Sequence, residues 1–283
     1  MIQKNDLELS ARIEDVLVQK NVRGMRYVQA ALAPGYCLRA AALLYSNYER
    51  VMIGTGFPVA GTFETDGPVG AIALYNALES LGGNPVMACG SPLYDVMQLN
   101  HRTQELSLDL KDNSPVGRAQ EATRILELQR PTALLSIERP GPSASGQYFN
   151  IRREDISDKC AWFDECMRLA ECPTIGIGDG GNEIGMGNVI DTIAKLDIEA
   201  SVSYCDELLV ADVSNWAAYG IIAFLGRWSG QDLLANCDPE RTLQFLSKHG
   251  SVDGVTCKNT ISEDGLDVAE GLLLIEQLQR LAA

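Results

Sequence analysis

Five short apolar runs, Val51–Thr55, Val86–Cys89, Ala133–Ile137, Thr174–Gly178 and Leu208–Val213, recur along the chain with helix-forming stretches between them. A run that is apolar at successive positions is buried on both faces of its sheet, and alternation with helices supplies the cover. This pattern predicts an α/β fold: a mainly parallel sheet of about five or more strands with helices on both faces, in a Rossmann-like three-layer arrangement. The length of 283 residues suits one large domain. We expect residues 1–283 to form a single α/β domain, with 1–48 as a helical N-terminal extension packed on it. In that extension Leu9, Ile13, Val16 and Leu17 share one helical face, and Asn5 with Glu8 fits a capping box.

Charge and composition exclude several function classes. The chain has 23 basic and 38 acidic residues and a formal charge of −15. Nucleic acids and anionic membranes are repelled by such a surface, so neither is an expected partner. The N-terminal residues lack the basic-then-apolar pattern of a signal peptide, and the apolar stretch from Trp216 to Gly226 is too short to span a bilayer. A cytoplasmic location is the expectation. The eight cysteines include no CxxC pair and no zinc spacing, which reads as reduced thiols. With only His101 and His249 available, serine-hydrolase triads and histidine metal sites have little to build on.

Ligands on parallel sheets bind beyond the carboxyl ends of the strands, so the residues after each run carry the functional signal. After the first come Glu64-Thr65-Asp66-Gly67-Pro68. Asp66 suits a helix N-cap and Pro68 a first helical turn, but Glu64 has no such structural use. After the third come Glu138 and Arg139, an acid and a base, then a loop containing Gln147, Tyr148, Asn150, Arg152 and Arg153. After the fourth comes a glycine-rich segment, 176–188, in which Gly176, Gly178 and Gly181 match GxGxxG. Asp179 and Glu183 stand where a pyrophosphate would lie, and the next basic residue is Lys195. Two carboxylates at short range would repel the phosphates, so the loop suits a cation, an ammonium group or proton transfer. After the fifth, Ser214 or Asn215 suits a helix cap, and Val252–Thr256 reads as a turn.

Taken together, GTGFP at 54–58, ETDGPVGA at 64–71, SIERPG at 136–141, GDGGNEIGMG at 178–187, the 205–216 stretch and VDGVT at 252–256 resemble the D-glutamate cyclases, specifically their C-terminal cyclase domain. The resemblance implies a carbon–oxygen lyase that interconverts D-glutamate and 5-oxo-D-proline with loss or gain of water. Under it, Glu64, Asp66, Asp179 and Glu183 form the acid–base and ammonium-binding cluster. The N–H groups of Gly67, Gly180 and Gly181 would hold an oxyanion, while Asn182, Asn215 and Arg139 orient the substrate. No cofactor is required by that chemistry, although the four acids could also hold Mg²⁺ or Ca²⁺. Two other readings stay open: a metal-dependent hydrolase of a small cyclic amide, and a non-catalytic amino-acid-binding module. The partner is a small molecule in every reading, and a homo-oligomer is compatible with all of them.

Overall fold

A computed structural model describes residues 4–283. Its central sheet has six strands: β1 (Val51–Thr55), β2 (Val86–Cys89), β3 (Thr103–Glu105), β4 (Ala133–Ile137), β5 (Thr174–Gly178) and β6 (Glu207–Val210). The order is β3-β2-β1-β4-β5-β6, and every pairing is parallel. Strand order reverses between β1 and β4, which is where such sheets open a crevice at their carboxyl ends.

Sequence patterning anticipates five of these strands and misses β3. Its residues Thr103, Gln104 and Glu105 lie at the sheet edge and stay partly or fully exposed, so no apolar run marks them. The other strands send alternate residues into opposite layers. Ile53, Leu135 and Leu209 enter the larger core, whereas Met52 and Leu134 pack below the opposite face and Leu208 joins a third cluster. This two-sided burial is why each run is apolar throughout.

The main helices are α1 (Lys4–Leu17), α2 (Tyr36–Ser46), α3 (Pro68–Ser80), α4 (Pro115–Gln129), α5 (Phe163–Leu169), α6 (Ser214–Ser229), α7 (Pro239–Lys248) and α8 (Val268–Ala282). Residues 214–226 of α6 are all buried, where α6 packs against α2, α3 and α8. That burial accounts for the apolar stretch in the sequence, and no described helix is long and apolar enough to cross a membrane. The predicted apolar face of α1 is buried, but α1 already includes Asn5, so Asn5 and Glu8 do not cap it. Ile13, Leu17, Tyr36 and Leu44 of the N-terminal segment belong to the main core. Asp212 ties that segment to the end of β6, accepting from the Lys20 N–H (2.7 Å) and donating its own N–H to the Leu17 carbonyl (2.8 Å). The tie sets the course of residues 20–24 toward the crevice. The helical composition of 158–170 yields only α5, because Cys160 is extended and the Ala161 carbonyl is bound by Arg139.

Candidate active site

A cavity of about 430 Å³ lies over the carboxyl ends of β1, β4 and β5. Glu64, Glu138, Asn182, Glu183 and Asp264 line it, together with Arg23 from the N-terminal segment. The two acidic stretches, over a hundred positions apart in sequence, therefore contribute carboxylates to one hollow. The buried acids around it divide into those met by several donors and those met by one or none.

Asp66 belongs to the first group and does not line the cavity. Its Oδ1 accepts from the N–H groups of Gly67 (2.8 Å) and Asn215 (2.8 Å), and its Oδ2 accepts from Ser214 N–H (2.8 Å). It thus caps the start of α6 rather than of α3, the helix it precedes. Asn215 returns the favour: its Oδ1 accepts from Gly67 (2.9 Å) and Gly70 (2.6 Å) at the start of α3. Two neighbouring helices have exchanged N-caps, and four otherwise orphaned N–H groups are satisfied without water. The Asn215 amide also donates to Glu263 (2.7 Å), whose pKa burial raises to about 7. Gly67 carries no free oxyanion site, since its N–H serves both caps. It is glycine because φ is 88° and a Cβ there would stand 2.7 Å from the Glu138 Cβ.

The glycine-rich loop after β5 closes on its own acid. Glu183 Oε1 accepts from Gly180 N–H (2.7 Å) and more weakly from Asp179 N–H (3.3 Å), while Oε2 accepts from Gly181 N–H (2.6 Å). The glycine N–H groups expected to bind an oxyanion are taken by this internal carboxylate. Asn182 faces the cavity and donates to the Phe149 carbonyl (2.8 Å), which anchors the loop after β4 to the loop after β5.

Arg23 is the feature that sequence reasoning did not find. Its guanidinium pairs with Asp179 through Nη1 and with Asp264 through Nη2 (2.7 Å). Burial opposes the Arg23 charge, but Asp179, Asp264, Glu138 and Asp66 outweigh it and raise its pKa further. Asp179 is itself fully buried, and its second oxygen, Oδ2, has no hydrogen-bond partner among the described residues. Burial pushes Asp179 well up, Arg23 pulls it down, and the nearby acids push again.

Glu64 and Glu138 form the second group. Both are buried and both line the cavity. Glu138 receives one hydrogen bond, from Ser214 Oγ (2.6 Å). Among the described residues, none donates a hydrogen bond to the Glu64 carboxyl. Burial, then Asp264 and Asp66, raise Glu64 well above the usual range. Burial, then Glu183, Asp66 and Glu64, do the same to Glu138. Six clustered carboxyls beside one guanidinium cannot all ionise together. Backbone N–H groups face Asp66 and Glu183, and Arg23 pairs with Asp179, whereas fewer donors face Glu64 and Glu138. Glu138 and Asp264 also hold left-handed backbone angles, φ 44° and 52°. Such strain in a side-chain-bearing residue clusters at functional sites.

With this geometry in view, the comparisons with known proteins are decisive at family level. The model of the family described as D-glutamate cyclase-like, C-terminal, matches residues 13–279. The chain belongs to that family. The mitochondrial D-glutamate cyclase of Homo sapiens is 30% identical over 211 residues, covering 66% of this chain and 34% of that protein. The D-glutamate cyclase-like chain thus spans only a part of its longer relative. Among solved structures, an exopolyphosphatase-related protein from Bacteroides fragilis aligns at 10% identity with a TM-score of 0.38, over 89% of this chain and 58% of that one. A likeness that slight carries no weight.

Within this D-glutamate cyclase-like fold, Arg139 is not placed to hold a substrate. It is buried, Nη1 donates to the Thr55 carbonyl (2.6 Å), Nη2 to the Ala161 carbonyl, and the guanidinium lies over the Phe163 ring at 5.8 Å. It braces the ends of β1 and the loop before α5. Asp66, Asp179, Gly67, Gly180, Gly181 and Asn215 likewise stand behind the cavity wall, whereas Glu64, Asn182 and Glu183 line it. Glu138 was legible as an acid at a strand end. Arg23 and Asp264 were not, because no local pattern links an N-terminal loop to a C-terminal turn. Two oxygen-only trios, Asp66-Asp179-Asp264 and Glu138-Asp179-Glu183, each bring one carboxylate atom per residue within 4.8 Å of the others, which is a donor set suited to a hard cation.

Proposed function

We propose that this chain interconverts D-glutamate and 5-oxo-D-proline by proton transfer through Glu64 and Glu138. The observation that carries this reading is the pair itself: two buried carboxyls that face the cavity and have fewer hydrogen-bond donors than the acids around them. The stoichiometry asks for such a pair. Ring closure forms a C–N bond and breaks a C–O bond. The ammonium nitrogen sheds two protons to become an amide N–H, and the departing carboxylate oxygen gains two to leave as water. Net charge is unchanged, so both protons can be passed internally from nitrogen to oxygen. An ionised carboxylate takes a proton from the ammonium, and a protonated one delivers to the oxygen. The charge on Glu64 contributes to raising Glu138, so the two carboxyls can divide the acid and base roles. Family membership and the human relative's name support the substrate assignment.

NMR of the purified protein with each glutamate and 5-oxoproline enantiomer tests the reaction; no ring closure or opening of any of them ends the cyclase reading. Glu64→Gln and Glu138→Gln are each expected to lower turnover by roughly 10²- to 10⁴-fold. Near-native turnover in both variants removes these residues from the chemistry. A second reading draws on the unpartnered Asp179 Oδ2 inside the Glu138-Asp179-Glu183 trio. There a divalent cation would polarise the carbonyl of a cyclic amide during hydrolysis. Activity abolished by chelation and restored by Mg²⁺ favours it. Saturable D-glutamate binding without turnover would mark a binding module instead.

A further inference from the structure

The cavity is lined by three cations, and only one of them is spent. Arg23 is committed to Asp179 and Asp264. Arg152 and Lys159, both on the loop between β4 and α5, make no ion pair with any described residue. Arg152 donates from Nη2 to the Val255 carbonyl (3.2 Å) and reaches Cys257 Sγ at 3.7 Å, contacts that span the cavity mouth to the 253–257 turn. The neighbouring Arg153, by contrast, turns outward to pair with the exposed Asp197. The loop is anchored for this placement. Tyr148 packs with Phe57, Ile156 and Cys160 while its hydroxyl donates to Asp164 (2.8 Å), and Asn150 Oδ1 accepts from the Arg152 and Glu154 N–H groups (both 2.9 Å). Glu154 also lines the cavity, but its Oε2 is engaged by the Asn150 amide (2.6 Å).

Arg152 and Lys159 are exposed where they line the cavity, and no described carboxylate pairs with either, so both are available to a ligand anion. We propose that Arg152 and Lys159 form the carboxylate-binding end of the cavity. They hold the carboxylate that does not react, the one on the carbon bearing nitrogen. This deepens, and rests on, the reading of the cavity as the cyclase site. The reacting carboxyl must lie by Glu64 and Glu138, which leaves the other carboxylate for Arg152 and Lys159. The retained carboxylate is present in both 5-oxoproline and glutamate. Contacts to it can persist from substrate through transition state to product. They set affinity and select amino acids that keep a free α-carboxylate, without contributing to the chemical step.

The test separates this subsite from the reaction. Arg152→Met with Lys159→Met is expected to raise KM for D-glutamate by roughly 10- to 100-fold with kcat within about threefold, and Arg152→Lys to restore most of the loss. A collapse of kcat at unchanged KM overturns the assignment. Independent of any turnover, calorimetry with the inert ring acid cyclopentanecarboxylate and its carboxamide reads the same end of the cavity. Wild type should favour the acid by about tenfold or more, and the double variant should lose that preference. No preference in wild type, or an equal preference in the double variant, overturns the proposal whatever the fate of the cyclase reaction.

Discussion

Glu64 and Asp66 are two residues apart and almost equally withdrawn from solvent, 6% and 0% exposed, yet they sit in opposite chemical situations. Asp66 lies at the junction of two helix starts, where three backbone N–H groups converge on its oxygens. Glu64 lies on the cavity wall, where its nearest charged company is other acids and a guanidinium already paired elsewhere. Burial raises both pKa values. What separates them is the supply of donors: three N–H groups meet Asp66 at the helix junction, and none of the described residues donates to Glu64 on the wall. The difference teaches that burial of an acid is not by itself a functional sign. The count of donors aimed at it decides whether it holds structure or chemistry.

This contrast can be broken at either end. The largest effect is expected at the junction. Asp66→Ala leaves the buried Ser214 and Asn215 N–H groups unpaired, while Gly67 keeps Asn215, and should cost roughly 2–5 kcal/mol of stability, read from urea unfolding. A loss under about 1 kcal/mol would mean that the exchanged caps are not what holds α3 to α6. A smaller effect, with a definite sign, is expected on the wall. Glu138 has a folded pKa raised above its unfolded value, so its contribution to stability is full below the ordinary carboxylate range and is lost as pH rises through the folded value. Glu138→Gln carries no such loss. Its stability relative to wild type should therefore climb as pH is raised from the ordinary carboxylate range into the neutral and alkaline region. A flat difference across that window would place an ionised Glu138 in the folded state. The smallest effect is expected from Gly254→Ala. The new Cβ would stand 2.0 Å from Glu64 Oε2, so the carboxyl must swing aside. Turnover should fall by about tenfold with little change in unfolding midpoint, because a flexible side-chain end can yield. Unaltered turnover would show that the observed Glu64 orientation is not the reactive one.

Much of the fold was legible before any coordinates. The runs at 51–55, 86–89, 133–137 and 174–178 are strands at those bounds, and the sheet is parallel because each run is apolar on both sides. The run at 208–213 also forms a strand, but a shorter one, since β6 stops at Val210 and Asp212 turns to bind the N-terminal segment. The site was legible in outline, for Glu64 and Glu183 do share a hollow. Individual roles were not. Asp66 reads as a cap for the helix that follows it, and it caps one nearly 150 positions away. Arg139 reads as a substrate clamp at a strand end, and it is consumed by two backbone carbonyls.

The sequence by itself determined the layered parallel architecture, the loops at the strand ends and the acidic character of the crevice, because periodicity and charge are local and additive along the chain. Tertiary structure alone decided which acid meets a helix start, which meets Arg23 and which is left facing the cavity. Those outcomes depend on donors brought from residues such as Arg23, Ser214 and Asp264, far apart in the chain, and the protonation of a buried carboxyl is set by its neighbours in space rather than in sequence.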